Sequence, residues 1–170
     1  TLLLSMVGWS NVKWEKDVIE LQSGMEIDLG GIGKEYAVDR CTQIIKELTE
    51  QSVLVNFGGD LATTGERRDQ GCRSVGRLIT GKDNAAALFK LYRGAIATSG
   101  DAHRYLLKDG IRYSHVLNPK TGWSVPGAPH TVSVAVPTCV EAGMMSTMAM
   151  LQGDQAEEFL KLQEVDYWVD

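Results

Sequence analysis

Three glycines in four positions, Gly30, Gly31 and Gly33, run directly into a stretch whose apolar residues recur at helical spacing. Ala37, Val38, Cys41, Ile44, Ile45 and Leu48 share one face, while Glu35, Asp39, Arg40, Lys46 and Glu47 fall elsewhere. That pattern predicts an amphipathic helix from Lys34 to about Glu50. A chain that passes through glycine into a helix offers exposed amides and the positive end of a dipole, and lets a ligand approach the backbone. Lys34 adds a point charge. The spacing is neither Gly-x-Gly-x-x-Gly nor that of a P-loop, so neither a Rossmann nor a Walker reading follows. Two readings stand: a phosphate cradle, or a connector that packs the helix tightly against a strand.

The remaining chain reads mainly as short strands. Asp17 to Leu21 alternates weakly, and Met25 to Leu29 is a short strand entering the glycines. Ser52 to Phe57, Ala87 to Leu91, Ala95 to Thr98, Ile111 to Leu117 and Thr131 to Val136 are further strands, with 61–81 turn-rich and weakly stranded. A second helix, about Val140 to Leu151, is apolar on nearly every face, as an enclosed helix would be. Asp154 with Glu157 resembles a capping box opening a third, ending near Leu162. The expectation is one α+β domain over 1–170, with a mixed, largely antiparallel sheet and about three helices.

Seventeen basic and twenty-two acidic residues leave a net charge of −5, which gives no electrostatic case for nucleic acid or anionic lipid. No apolar run approaches the ~18 residues of a membrane-spanning helix. Cys41, Cys72 and Cys139 are odd in number and widely spaced, so a disulfide framework or zinc finger is not expected, and each reads as a small apolar filler. The chain begins with Thr, and a processed or excised piece is the expectation.

Four more segments carry polar groups where a ligand or a turn could use them. Asn56-Phe57-Gly58-Gly59-Asp60 closes a strand and is either a tight turn or a close backbone approach. Thr98-Ser99-Gly100-Asp101 follows an apolar strand with the same two readings. His115 lies in a strand before the Asn118-Pro119-Lys120-Thr121-Gly122 turn, placed as a general base, a phosphate contact or a structural histidine. Ser146 and Thr147 sit in a nearly all-apolar helix and need partners, either the preceding turn or a metal or ligand.

In this order the motifs resemble those of the FAD:protein FMN transferases, the ApbE-like flavin transferases, over about Val7 to Leu162. Asp28-Leu29-Gly30-Gly31-Ile32-Gly33-Lys34-Glu35-Tyr36-Ala37-Val38-Asp39 is similar to the family's Asp-Leu-Gly-Gly-Ile-Ala-Lys-Gly-Tyr-Ala-x-Asp. Asn56 to Asp60 resembles Asn-x-Gly-Gly-Asp, Thr98 to Asp101 Thr-Ser-Gly-Asp, and His115 to Gly122 His-x-x-x-Pro-x-Thr-Gly. The resemblance implies FAD bound with its pyrophosphate beside Mg²⁺, and FMN moved onto a threonine hydroxyl of a target flavoprotein with release of AMP. It implies His115 near that hydroxyl, and Gly30, Gly31, Lys34, Asn56, Gly59, Asp60, Ser99, Gly100, Asp101 and Thr121 around the nucleotide. The carbonyl of Gly33 and the hydroxyl of Thr147 are the implied metal ligands. A periplasmic or envelope setting is likewise implied, as is a further segment of roughly a hundred residues in front.

Two departures stand out. Before Thr147 the family has Ala-Asp-x-x-x-Thr, whereas this chain has Ala142-Gly143-Met144-Met145-Ser146-Thr147, so the ligand carboxylate is missing. That loss favours, as the alternative function, an FAD-binding protein without transfer, and Gly143→Asp is expected to tighten Mg²⁺ binding. Glu35 stands where the family has glycine, which puts an anion near the expected pyrophosphate.

Overall fold

The computed structural model describes residues 3–66, 73–78, 85–101 and 104–170, with the backbone alone for 73–78 and 85–89. Cys72 and positions 79–81 of the turn-rich stretch lie outside the described residues. In chain order, β1 (Lys13–Glu15) and β2 (Val18–Glu20) form a hairpin and α1 (Gly33–Leu48) follows. Then come β3 (Leu54–Phe57), β4 (Asp60–Thr63), β5 (Arg73–Leu78), β6 (Ala85–Leu91) and β7 (Gly94–Gly100). After these are β8 (Tyr105–Lys108), β9 (Ile111–Ser114), β10 (Thr131–Val136), α2 (Cys139–Met150), α3 (Ala156–Leu162) and β11 (Asp166–Val169).

Five strands make the main sheet, in the order β11-β10-β7-β4-β3, every neighbouring pair antiparallel. β5 with β6 and β8 with β9 are separate hairpins. Two-residue periodicity sorts the sheet's faces. Val55, Ala62, Ala95 and Ala97 meet Val38 of α1 and Cys139 and Ala142 of α2. Alanines at these positions leave room for both helices to settle on the strands. Val132 and Val134 meet Met150 of α2 and Leu160 of α3, all fully buried, each contributing about 1.5–3 kcal/mol over exposure. Leu61, Leu91 and Ile96 form a smaller cluster, joined by Trp168. The α+β expectation holds, and the sheet is antiparallel throughout rather than mixed.

Several expectations are corrected. Met25 to Leu29 has no strand partner among the described residues. The buried stripe of α1 is Glu35, Val38 and Thr42, whereas Ile44 and Leu48 are 46% and 79% exposed. Periodicity defined the face of that helix, and the direction from which α2 and the sheet arrive rotated it. Helix α2 is not wholly enclosed, because Met144 and Met148, one turn apart, face solvent. Asp154 makes no cap for α3: a 3₁₀ turn over Gly153–Gln155 leads into that helix, with Gln155 at its N-cap position. His115 lies one residue beyond β9 rather than within it. No helix among the described residues is long and apolar enough to cross a membrane.

Helix α2 starts under double restraint. Thr138 at its N-cap accepts the Glu141 amide at 3.3 Å and donates to Glu141 Oε2 at 2.9 Å. From α1, the Asp39 carboxylate accepts the amides of Cys139 at 2.8 Å and Val140 at 2.9 Å. Both bonds are charge-assisted and complement the helix dipole. Asp39→Ala therefore is expected to lower the urea midpoint at unchanged slope, by about 2–3 kcal/mol, since two helix-end amides lose a charged acceptor.

Candidate functional site

At the glycine junction the backbone bonds itself in part. The Gly30 amide donates to Asp28 Oδ1 at 2.7 Å, and those of Ile32 and Gly33 donate to the Leu29 carbonyl at 3.0 and 2.7 Å. No acceptor engages the amides of Gly31, Lys34 or Glu35 among the described residues. Ile32 stands at the N-cap of α1 and supplies no side-chain cap. A Cβ on Gly31 would meet open space. The junction thus presents three uncommitted amides at an uncapped helix end, with Gly30 serving the loop's own shape.

Asn56 to Asp60 is a tight turn with a purpose at its far end. Gly58 and Gly59 have φ of +62° and +102°, as a two-residue hairpin between β3 and β4 requires. Asn56 Oδ1 accepts the Gly59 amide at 2.9 Å, steadying that turn. Asp60, 2% exposed, pairs with Lys34 Nζ, and its Oδ1 accepts a long 3.5 Å bond from the Thr98 amide. The ion pair ties the first turn of α1 to the sheet and leaves Lys34 half-exposed, with donors to spare.

Along the end of β7 successive residues serve opposite faces. Thr98 Oγ1 lies 2.5 Å from Ser133 Oγ. Ser99 Oγ lies 2.8 Å from both Ser146 Oγ and Thr147 Oγ1 of α2. Ser146 donates to the Gly143 carbonyl at 3.0 Å, which orders the whole chain of hydroxyls. A carbonyl only accepts, so Ser146 must accept from Ser99, and Ser99 from Thr147. The Thr147 oxygen spends its proton inside the protein and is left as an acceptor. Gly100 is explained by packing, because a Cβ there would fall 2.5 Å from the His130 carbonyl.

Asp101, 4% exposed, anchors a second group. Arg112 Nη2 donates to its Oδ1 and to its carbonyl, each at 2.6 Å, and His130 Nδ1 lies 3.4 Å from Oδ1. The guanidinium stacks over Tyr105, 4.1 Å from the ring centre. His115 is exposed, and its Nδ1 lies 3.1 Å from the Arg104 carbonyl, while the Arg104 amide donates to Asp101 at 3.2 Å. A carbonyl partner makes Nδ1 the protonated nitrogen and leaves Nε2 as an acceptor, the tautomer a general base needs. Thr121 Oγ1 accepts the Trp123 amide at 3.3 Å and shapes the Asn118 to Gly122 turn. A cavity of about 500 Å³ is lined by Asp101, Arg112, Ser114, Trp123 and His130, and by none of Gly30 to Lys34, Asn56 to Asp60 or Thr147. Ser99 and Asp101 are two positions apart, so the end of β7 joins the helix-end group to the histidine group.

Sequence reasoning missed how Glu35 is used. Only 9% exposed, it carries a buried Oε2 with no hydrogen-bond partner. A Cβ on Gly143 would fall 2.8 Å from Glu35 Cγ and 2.9 Å from its Oε1. The expected anion at the pyrophosphate is therefore directed against α2, and Gly143→Asp alone must first displace it. Asp39 was visible as a motif position but not as the cap of α2. Burial, with Asp60, Asp39 and Glu35 nearby, pushes the Cys139 thiol up to about 12, so it is an inert filler.

Residues 1–169 match the sequence profile described as the ApbE family. The chain is 32% identical over 153 residues to the FAD:protein FMN transferase of Salmonella typhimurium, covering 89% of this chain and 41% of that protein. It is 30% identical over 163 residues to the Escherichia coli K12 protein of the same name, covering 93% and 45%. Among solved structures it resembles the ApbE protein of Thermotoga maritima with a TM-score of 0.86 at 28% identity, covering 99% of this chain and 56% of that one. The apo flavinyl transferase ApbE of Pseudomonas stutzeri gives 0.85 at 25% identity, covering 99% and 53%. The chain spans less than half the length of these curated relatives and just over half of the solved chains.

Two outcomes follow from this geometry. A Cβ on Gly33 would lie 3.7 Å from Leu29 Cβ, an ordinary contact, so Gly33→Ala is expected to raise the melting temperature, by about 1–2 °C for about 0.5 kcal/mol. Because the folded-state pKa of Cys139 is raised to about 12, its stabilising contribution is complete below the unfolded thiol pKa and is lost as pH climbs from there toward 12. Urea unfolding of the parent and Cys139→Ala above pH 9 should differ by a slope of about 1.4 kcal/mol per pH unit.

Proposed function

Because the chain belongs to the ApbE family, we propose that it moves FMN from FAD onto a threonine hydroxyl of a target flavoprotein, releasing AMP. The observation that carries this is the uncapped first turn of α1, with the amides of Gly31, Lys34 and Glu35 free beside the Lys34 ammonium. Such a turn receives a diphosphate through backbone donors and a helix dipole, without the net positive charge this acidic chain lacks. Asn56, Gly59, Asp60, Ser99, Gly100, Asp101 and Thr121 act mostly by holding that turn, the end of β7 and the histidine loop in place.

The acceptor hydroxyl oxygen forms a new bond to the FMN phosphorus, the bridging phosphorus–oxygen bond to the AMP phosphate breaks, and the hydroxyl proton passes to His115 Nε2. His115 is exposed, as a residue meeting a protein substrate must be. The Arg104 carbonyl orients its ring. The amides of the α1 turn stabilise charge on the phosphate oxygens as that bond breaks. The chain fits Mg²⁺: the available donors are hard oxygens, the Gly33 carbonyl and the Thr147 hydroxyl, beside an orphaned carboxylate oxygen. Mg²⁺, when bound, would neutralise the diphosphate and steady the leaving phosphate. No group of three or more His, Cys, Asp or Glu that could hold a metal occurs among the described residues. The proposed setting, the periplasm or cell envelope, rests on the resemblance alone.

The second reading, nucleotide binding without transfer, is favoured by Gly143 standing at the family's aspartate position. Incubation with FAD, Mg²⁺ and an acceptor protein bearing the target threonine separates the two, read as covalent flavin fluorescence on a denaturing gel. The parent is expected to flavinylate the acceptor, and His115→Ala to do so about 10²–10⁴-fold more slowly while still retaining flavin absorbance through gel filtration. Retained FAD with no transfer by the parent establishes the second reading. A parent that retains no flavin removes both.

A further inference from the structure

A buried carboxylate without a hydrogen-bond partner is costly, and natural interiors seldom keep one without a use. Glu35 is such a group: 9% exposed, with Oε2 orphaned and Lys34, the adjacent cation, already paired with Asp60. Its side chain fills the space where a Cβ at position 143 would stand, 2.8 Å from Cγ and 2.9 Å from Oε1. Glycine at 143 and glutamate at 35 are therefore one arrangement, since any side chain at 143 would force Glu35 to shift. Thr147 is one helical turn beyond Gly143, with its oxygen left to accept, and the Gly33 carbonyl is two residues before Glu35.

We propose that Glu35 supplies from α1 the carboxylate that α2 lacks at Gly143, completing a divalent-cation site with the Gly33 carbonyl and the Thr147 hydroxyl. The two departures from the family pattern then cancel, one residue having moved its charge across the helix–helix contact. The inference deepens the transferase reading and rests on it for the ion's purpose, but the site's existence is tested separately.

Purified parent chain is titrated with Mn²⁺ alone, followed by the paramagnetic resonance signal of the free ion, with Mg²⁺ as competitor. Glu35→Gln is expected to weaken binding at least about tenfold, as loss of a charged ligand does. Glu35→Gly combined with Gly143→Asp is expected to bring it back to within about threefold of the parent, while Glu35→Gly alone stays weak. In chelator, Glu35→Gln should melt at or up to about 2–4 °C above the parent, because it removes an uncompensated buried charge; a merely structural glutamate would lower that temperature. Parent chain that holds no Mn²⁺, or Glu35→Gln that holds it as well as the parent, overturns the proposal. Flavin retention on gel filtration is measured in parallel. Glu35-dependent Mn²⁺ binding without flavin retention refutes the transferase reading alone, and flavin retention without such binding refutes this site alone.

Discussion

The contact on which the arrangement turns is a carboxylate laid across two helices. Asp39, in the second turn of an amphipathic helix, accepts the first two amides of α2 from a hundred residues away in sequence. It meets the positive end of a dipole, so the contact is directional as well as strong. It sets where α2 begins relative to α1. Packing of Val38 against Cys139 and Ala142 then holds the pair on the alanine-lined face of the sheet.

The site follows from that crossing by helix arithmetic. One turn toward the start of α1 from Asp39 is Glu35, and one turn toward the end of α2 from Cys139 is Gly143. These two meet, as antiparallel neighbours held at an adjacent turn must. A further turn along α2 is Thr147, bonded through Ser99 to the end of β7. Lys34 meanwhile reaches Asp60 at the start of β4. Two helices and two strands so converge on the uncapped turn, where Glu35, Asp39 and Asp60 lie near Lys34 and Cys139. The Cys139 thiol, pushed up to about 12 by burial and by these same acids, reports the field they produce.

Much of this was open to reading in the residues themselves. Helix α1, its glycine entrance and most strands appear at close to their observed limits, because periodicity and turn glycines are local properties. β8 and β11 were not anticipated, each being four residues long and dependent on its pairing partner. Met25 to Leu29 shows the opposite case, an extended pattern left without a strand beside it. Asn56, Gly59 and Gly100 had alternative readings as ligand contacts or turn formers; Asn56 and Gly59 steady the β3–β4 turn, and Gly100 admits the close approach of the His130 carbonyl. His115 was of interest from its place before a sharp turn, but the carbonyl that selects its tautomer belongs to Arg104, eleven residues away.

The amino-acid order on its own determined most of the elements, their turn glycines and the family motifs, since those depend on neighbours within a turn or two, whereas the carboxylate that caps α2 comes from a hundred residues away. Which face of α1 would be buried, and that a charged residue would lead it, was decided only when α2 arrived. Local spacing counts Glu35 as a solvent-facing charge; a glycine more than a hundred positions later makes room for it inside. Long-range complementarity of that kind is a property of two surfaces in contact, and no periodicity along a single segment records it.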